Sequence, residues 1–249
     1  MSNKHSAIMA AASFCLLGAC NPFSGLGPQP DAGQRSSPTG PQQLMLKGLV
    51  AEGADLSSFI TGCASGAGLQ LDELRPGPAG KDANRRTVQV TVSGGFQGIA
   101  NLVACFGQGE LVWEFGRLQV WRGPPKFFDY RLELQVSAFQ SLTVPGPEFK
   151  DQAEAEKWLQ ALRARVNRAT GLLSGIYLAT EPALELREIS LSANSGTVKG
   201  RAMNYPEISG LMEELQAKGL VRNARVEMIQ RVLSKSAEKD QEFELAFDW

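Results

Sequence analysis

The amino-acid sequence predicts an α+β fold made of one pattern written twice, and three observations carry that reading. Stretches of strict apolar/polar alternation recur, as at Val88, Val90 and Val92 or at Phe243, Leu245, Phe247 and Trp249, which marks strands with one covered and one wet face. Stretches with apolar residues three and four positions apart stand between pairs of such strands. Both kinds of segment follow the order α-β-β-α-β-β on each side of residues 142–149 (LTVPGPEF), whose Pro-Gly-Pro punctuation predicts a break in both helix and strand. Two copies of that order imply two tandem ferredoxin-like sandwiches, residues 44–141 and 150–249. Each would be permuted in sequence and place a pair of helices over one face of a four-stranded antiparallel sheet.

Ahead of the first copy, Lys4 precedes an apolar run over residues 7–17. Leu17, Gly18, Ala19 and Cys20 then resemble the lipobox at which a bacterial lipoprotein precursor is lipidated and cut. The apolar run is far short of the roughly 20 residues that span a bilayer. Residues 1–19 therefore read as a lipoprotein signal peptide, and Cys20 as a lipid anchor rather than a thiol. The expected location is the cell envelope, facing the periplasm. Asn21 stands where some bacteria place the Asp that retains a lipoprotein in the inner membrane, which makes the outer membrane the default and leaves the inner one open. Residues 20–43 are dense in Pro, Gly, Ser and Gln, with Phe23 and Leu26 as their sizeable apolar side chains. Such a segment cannot bury enough surface to offset its ordering entropy. It reads as a disordered tether.

In the first copy, Leu56, Phe59, Ile60 and Cys63 recur at helical spacing and Gly66 and Gly68 stop the helix. Strands follow at 69–74 and 87–93, then a helix bearing Phe96, Ile99, Ala100, Val103 and Phe106, then strands over 111–121 and 128–138. In the second copy, Asp151 and Glu154 form a capping pattern for a long helix with a stripe from Leu159 to Tyr177. Gly171 and Gly175 mark where it could break. Strands over 184–193 and 197–203 lead to a helix begun by Pro206 and ended by Gly219, and strands over 221–232 and 242–249 close the pattern.

Several function classes are excluded by what the residues cannot do. The single histidine, His5, lies in the expected signal peptide. Without histidine the exported chain builds no Ser-His or Cys-His pair and no His-containing zinc site. No P-loop, dinucleotide fingerprint, calcium loop or Cys-x-x-Cys is present. The reading is of a noncatalytic protein with no cofactor and no metal. The formal net charge of −1 provides no basic footprint for nucleic acid.

Residues 88–138 resemble the periplasmic PilO family of type IV pilus assembly and the related GspM family of type II secretion. The likeness rests on a strand ending in Ser93, Gly94 and Gly95, a helix opening with Phe96, and a closing hairpin over 113–121 and 130–138. Residues 197–249 resemble the PilN and GspL counterpart. There Val198, Gly200 and Ala202 sit on a strand, Asn204 precedes a helix beginning at Tyr205 and Pro206, and a terminal strand runs through Phe243 and Phe247. The resemblance implies a scaffold or adaptor that pairs through sheet edges or helix faces with pilus or secretion assembly proteins, self-association included. A competing reading is an envelope lipoprotein that binds a small ligand through its ferredoxin-like domains.

Among individual residues, Cys63 and Cys105 are the thiols left beside Cys20 in the exported chain. An oxidising compartment and neighbouring helices favour a disulfide. Cys105, however, lies about 130° from the centre of its helix's apolar face at 100° per residue, which leaves two separate thiols open. Trp113, Phe115, Trp121, Phe127 and Phe128 crowd one hairpin, mostly as core. Phe127 and Phe128 cannot both point inward on a regular strand, so Phe127 at the hairpin tip, with Trp121 nearby, is a candidate docking point. Lys157, Arg163, Arg165 and Arg168 form a charged helix face expected to be solvated.

Overall fold

The computed structural model describes residues 42–44, 46–51, 54–77, 84–123, 130–144, 149–180, 184–232 and 240–249. These lie within the compact unit Gly40–Trp249. Residues 20–41 of the expected tether, Cys20 among them, lie outside the described residues, as do Phe127 and Phe128.

The chain begins with a short strand, β1 (Gln42–Leu44). Helix α1 (Leu56–Gly66) follows, opened by Asp55, whose carboxylate accepts the Ser57 amide at 2.9 Å. Hydrogen bonds from the Ser58 hydroxyl and from the Ser57 and Ser58 amides hold this carboxyl below its ordinary value. Strands β2 (Gln70–Pro76) and β3 (Arg85–Gly94) come next. At the end of β3, Gly94 has φ +152° and its missing side chain leaves room for Leu69: a Cβ there would stand 2.7 Å from a Leu69 methyl. Only glycine lets the chain turn so tightly against the α1–β2 connection. The turn feeds helix α2 (Phe96–Gln108), then β4 (Trp113–Arg122) and β5 (Tyr130–Phe139).

Where the Pro-Gly-Pro punctuation predicts no strand, Leu142–Val144 forms one, β6, paired antiparallel with β1. Gln42 and Gln43, expected in the tether, are thus strand residues. Helix α3 (Gln152–Thr180) starts with Asp151 accepting the Glu154 amide at 2.8 Å, while Glu154 accepts the Lys150 amide. It runs unbroken through Gly171 and Gly175. Gly175 admits Leu220 against the helix, since a Cβ there would meet a Leu220 methyl, whereas a Cβ at Gly171 would stand 3.8 Å from Leu220 in ordinary contact. Then come β7 (Leu184–Leu191), β8 (Ser195–Ala202), α4 (Tyr205–Ala217), β9 (Arg222–Val232) and β10 (Asp240–Asp248). Asn204 caps α4 by accepting the Glu207 amide, and Glu207 reaches back to the Met203 amide.

Eight of these strands form a single antiparallel sheet in the order β2-β3-β5-β4-β7-β8-β10-β9. Within each repeat, α1 to β5 and α3 to β10, the spatial order is first, second, fourth, third. Each repeat's first strand also carries a bulge at the same place, between Leu71 and Glu73 in β2 and between Leu186 and Glu188 in β7. The sequence predicts two sandwiches set apart by a break. In the structure β4 pairs with β7 through Leu118↔Leu191, Gln119↔Ser190, Val120↔Ile189 and Trp121↔Glu188, and one hydrophobic cluster runs under both repeats. The fold is therefore mixed α+β on one continuous sheet. A second, smaller cluster of Val112, Phe139, Leu142, Phe149, Ala155, Leu159 and Leu162 seals the first turns of α3.

Candidate interaction surfaces

Alternation along the strands divides the sheet into a core face and a polar face. Val90, Val92, Leu118, Val120, Leu132, Leu134, Ile189, Val198, Phe243 and Leu245 point to the helices and are buried. On the other face a mesh of charge crosses the joint between the repeats. Gln119 donates to Glu188 at 3.1 Å from β4 to β7, and at the end of the joint Arg122 bonds Glu185 at 2.9 Å. Lys199 lies 3.7 Å from Glu188 and 3.8 Å from Glu244. Arg187 and Arg201 converge on one oxygen of Glu242 at 2.7 and 3.0 Å. Such partly exposed pairs add little stability individually. Like charges avoid facing each other and the register is favoured. At the joint the face thus presents polar groups paired with one another.

The expected candidate residues fall at different depths. Trp113 and Phe115 are buried beneath Phe106, with Phe59 stacked on Trp113 at a centroid distance of 5.4 Å. Trp121 is half-buried on the polar face, where the Arg131 guanidinium sits 6.0 Å over its ring. It stands opposite Glu188 in the β4–β7 joint, so part of its surface is used between the repeats.

Cys63 and Cys105 are bonded to each other, with Cα atoms 5.9 Å apart, linking α1 to α2. The position of Cys105 off the apolar face has a simple reason: that flank of α2 faces its neighbouring helix, not the sheet. Above the disulfide lies an open groove of about 590 Å³, bordered by Ser58, Phe59, Gly62, Gly66, Asn101 and Gln108.

The charged face of α3 departs from the solvated expectation. Arg163 donates to the Glu110 carbonyl at 3.0 Å. Arg165 bonds the Ala193 carbonyl and lies 5.6 Å over the Trp249 ring. Desolvation pushes the Arg165 guanidinium down from its ordinary value, with Glu114 opposing that shift and Arg168 adding to it. Lys157 and Arg168 are exposed.

Sequence reasoning missed a set of exposed apolar side chains in the second repeat: Leu178, Met203, Tyr205, Met228 and Ile229, between 40% and 67% exposed. A usable signal existed for two of them. Met228 and Ile229 are adjacent on a strand, and adjacent residues point to opposite faces. The argument applied to Phe127 and Phe128 applies equally here.

Among the described residues no group of three or more His, Cys, Asp or Glu could hold a metal ion. Among them, too, no helix is long and apolar enough to cross a membrane. An eight-stranded antiparallel sheet and its packed helices define a mixed α+β class of protein. Residues 172–249, from the last turns of α3 to Trp249, match the family model of PilN, described as a fimbrial assembly protein. Over these residues the chain is similar to that family's domain. No curated protein and no solved structure matches the chain.

Proposed function

We propose that this protein is a lipid-anchored, noncatalytic scaffold or adaptor of a type IV pilus or type II secretion-like envelope machine. The PilN match over residues 172–249 is the observation that carries the reading. The small residues on which the resemblance rested have a packing role consistent with it: Gly200 on β8 gives its space to Phe243, whose ring would stand 2.8 Å from a Cβ at that position. Each repeat is read as a ferredoxin-like sandwich of permuted order, supported by the shared first-second-fourth-third arrangement. The first repeat takes the PilO-like role and the second the PilN-like one, so that one chain carries both halves of a pair. Its partners are pilus or secretion assembly proteins and further copies of itself. Lipid on Cys20 holds the folded body at the periplasmic side of a membrane, the outer one by default, through the tether. Trp121 and Phe127 contribute to docking.

Crosslinking in cells followed by copurification tests the reading. Recovery of pilus or secretion assembly proteins is expected. Recovery of a bound small molecule, with no such protein, overturns it in favour of a ligand-binding lipoprotein, for which the groove over the disulfide is the available site. Fractionation of a Cys20→Ala variant tests the anchor: the variant is expected to leave the membrane fraction, and unchanged membrane association overturns lipidation at Cys20.

A further inference from the structure

The two repeats meet through particular edges: the third strand of the first, β4, pairs with the first strand of the second, β7. The two edges left free in the eight-stranded sheet are of the same two kinds. One is β2, a first strand, and the other is β9, a third strand. We propose that β9 of one molecule takes β2 of a second copy, repeating between chains the joint that β4 and β7 make within one.

Residue equivalence follows from the registers alone. In the first repeat Leu71, Val92, Leu132 and Val120 form one rung across the sheet. In the second repeat Leu186, Gly200, Phe243 and Ile229 form the matching rung. The next rung equates Gln119 with Met228 and Glu73 with Glu188. Ile229 and Met228 therefore occupy on β9 the positions that Val120 and Gln119 occupy on β4, where β7 binds.

The burial of the two sets differs as an unfilled joint requires. Val120 is 1% exposed beside Ile189, whereas Ile229 is 40% and Met228 41% exposed. A third pair comes from the helices. Phe96, the first residue of α2, stacks on Tyr177 of α3 across the internal joint with ring centroids 4.9 Å apart. Its counterpart Tyr205, the first residue of α4, is 50% exposed. Three of the five large exposed apolar side chains are thus equivalents of residues at the internal joint.

The strand geometry permits the pairing. β9 carries its register shifts where it faces Glu244 to Asp248, and Met228 to Val232 pair with β10 without interruption. Transferring the internal register places Ile229 opposite Leu74, Met228 opposite Arg75 and Gln230 opposite Glu73. Leu74 is half-buried on its free edge. Strand addition supplies main-chain hydrogen bonds, and the side chains at alternate positions choose the partner. Because the joint uses two different edges, each added copy leaves one edge of each kind open, so assembly closes as a ring or continues as a filament.

This assigns edges to the self-association named above. Its test involves no machine component, so its failure leaves the adaptor reading standing. Two cysteine variants of the full chain, Ile229→Cys and Leu74→Cys, are oxidised separately and as a mixture, with the unsubstituted protein as background. The mixture is expected to yield a crosslink between positions 229 and 74, located by peptide mass spectrometry, that neither variant yields alone. A 229–229 or 74–74 crosslink instead overturns the head-to-tail joint, and so does the absence of any crosslink above background. In parallel, Ile229→Asp is expected to abolish the concentration-dependent rise in mass seen by analytical ultracentrifugation while leaving the circular dichroism spectrum unchanged. A rise in mass that survives this substitution overturns the proposal.

Discussion

The two repeats reach the same strand arrangement by opposite packing choices. On the core face of the first repeat, β3 and β5 present Val92 against Leu132, Val90 against Leu134 and Val88 against Val136. On the second, the same rungs of β8 and β10 read Gly200 against Phe243, Val198 against Leu245 and Gly196 against Phe247. At the two outer rungs medium paired with medium has been exchanged for none paired with large, while the middle rung keeps two medium side chains. A core needs its volume filled and its pattern kept, and it tolerates redistribution of that volume between neighbouring strands. The helices differ as well. The first repeat joins its two short helices by the Cys63–Cys105 disulfide, whereas the second relies on the 29-residue α3, which also reaches over to the first repeat.

The largest expected effect tests how separate the two repeats are. Deleting residues 242–249 removes nearly all of β10, the strand between β8 and β9, and is expected to unfold the second repeat while the first keeps its sheet and disulfide. Hydrogen exchange would then show protection lost across 184–232 and retained across 85–139. Loss of protection in both, in one transition, would make the repeats a single cooperative body in spite of their matching plans.

A smaller effect sharpens the packing comparison. Phe243→Ala should cost about 3–5 kcal/mol, as large-to-small changes of buried aromatics do, and Gly200→Ala about 1–3 kcal/mol by overpacking. Combining Gly200→Ala with Phe243→Leu moves this rung toward the Val92 and Leu132 solution. The double variant is expected to be more stable than the sum of the losses measured for Gly200→Ala and Phe243→Leu singly, by about 0.5–3 kcal/mol of coupling in urea unfolding. The relief is partial, since a Cβ at Gly200 also stands 2.6 Å from the Glu185 carbonyl. Strict additivity would show that the exchange of volume is not what relates the repeats.

A third effect, below that of Phe243→Ala, concerns the disulfide. Replacing Cys63 and Cys105 by Ser is expected to cost about 2–4 kcal/mol, the usual range for a crosslink closing a loop of this size. The loss should appear in the first repeat. Equal loss of exchange protection in both would mean that the shared core transmits α1–α2 docking across the β4–β7 joint.

Much of the architecture was legible in residue order because its causes are local. Alternation marked the long strands, Asp151, Asn204 and Pro206 marked helix starts, and the repeated α-β-β-α-β-β order was visible before any contact was known. Each of these acts within a few residues through dihedral preference, capping or one-sided burial. The candidate surface was less legible. Cys63 and Cys105 could be singled out as a pair but not joined, because helix phase places a side chain around its own axis and says nothing about which element lies opposite. Met228 and Ile229 were visible as adjacent apolar residues on a strand, yet their exposure depends on β9 being the outermost strand.

Local signals left the long-range pairings open, and tertiary structure decided them. Nothing near Leu118 or Leu191 announces that these residues meet, and the repeats could have formed two sheets from the same pattern. The pairing of Leu142–Val144 with Gln42–Leu44 was not legible locally because the partner strand lies almost a hundred positions away. α3 stays whole through Gly171 and Gly175, and the space at Gly175 is taken by Leu220. By itself the sequence determined the long elements, their order and which face of each is apolar, since those follow from bonds and periodicities within reach of each residue. Which edges meet, which glycines admit a neighbour and which apolar residues remain uncovered depend on surfaces far apart in the chain, whose complementarity exists only once the fold has brought them together.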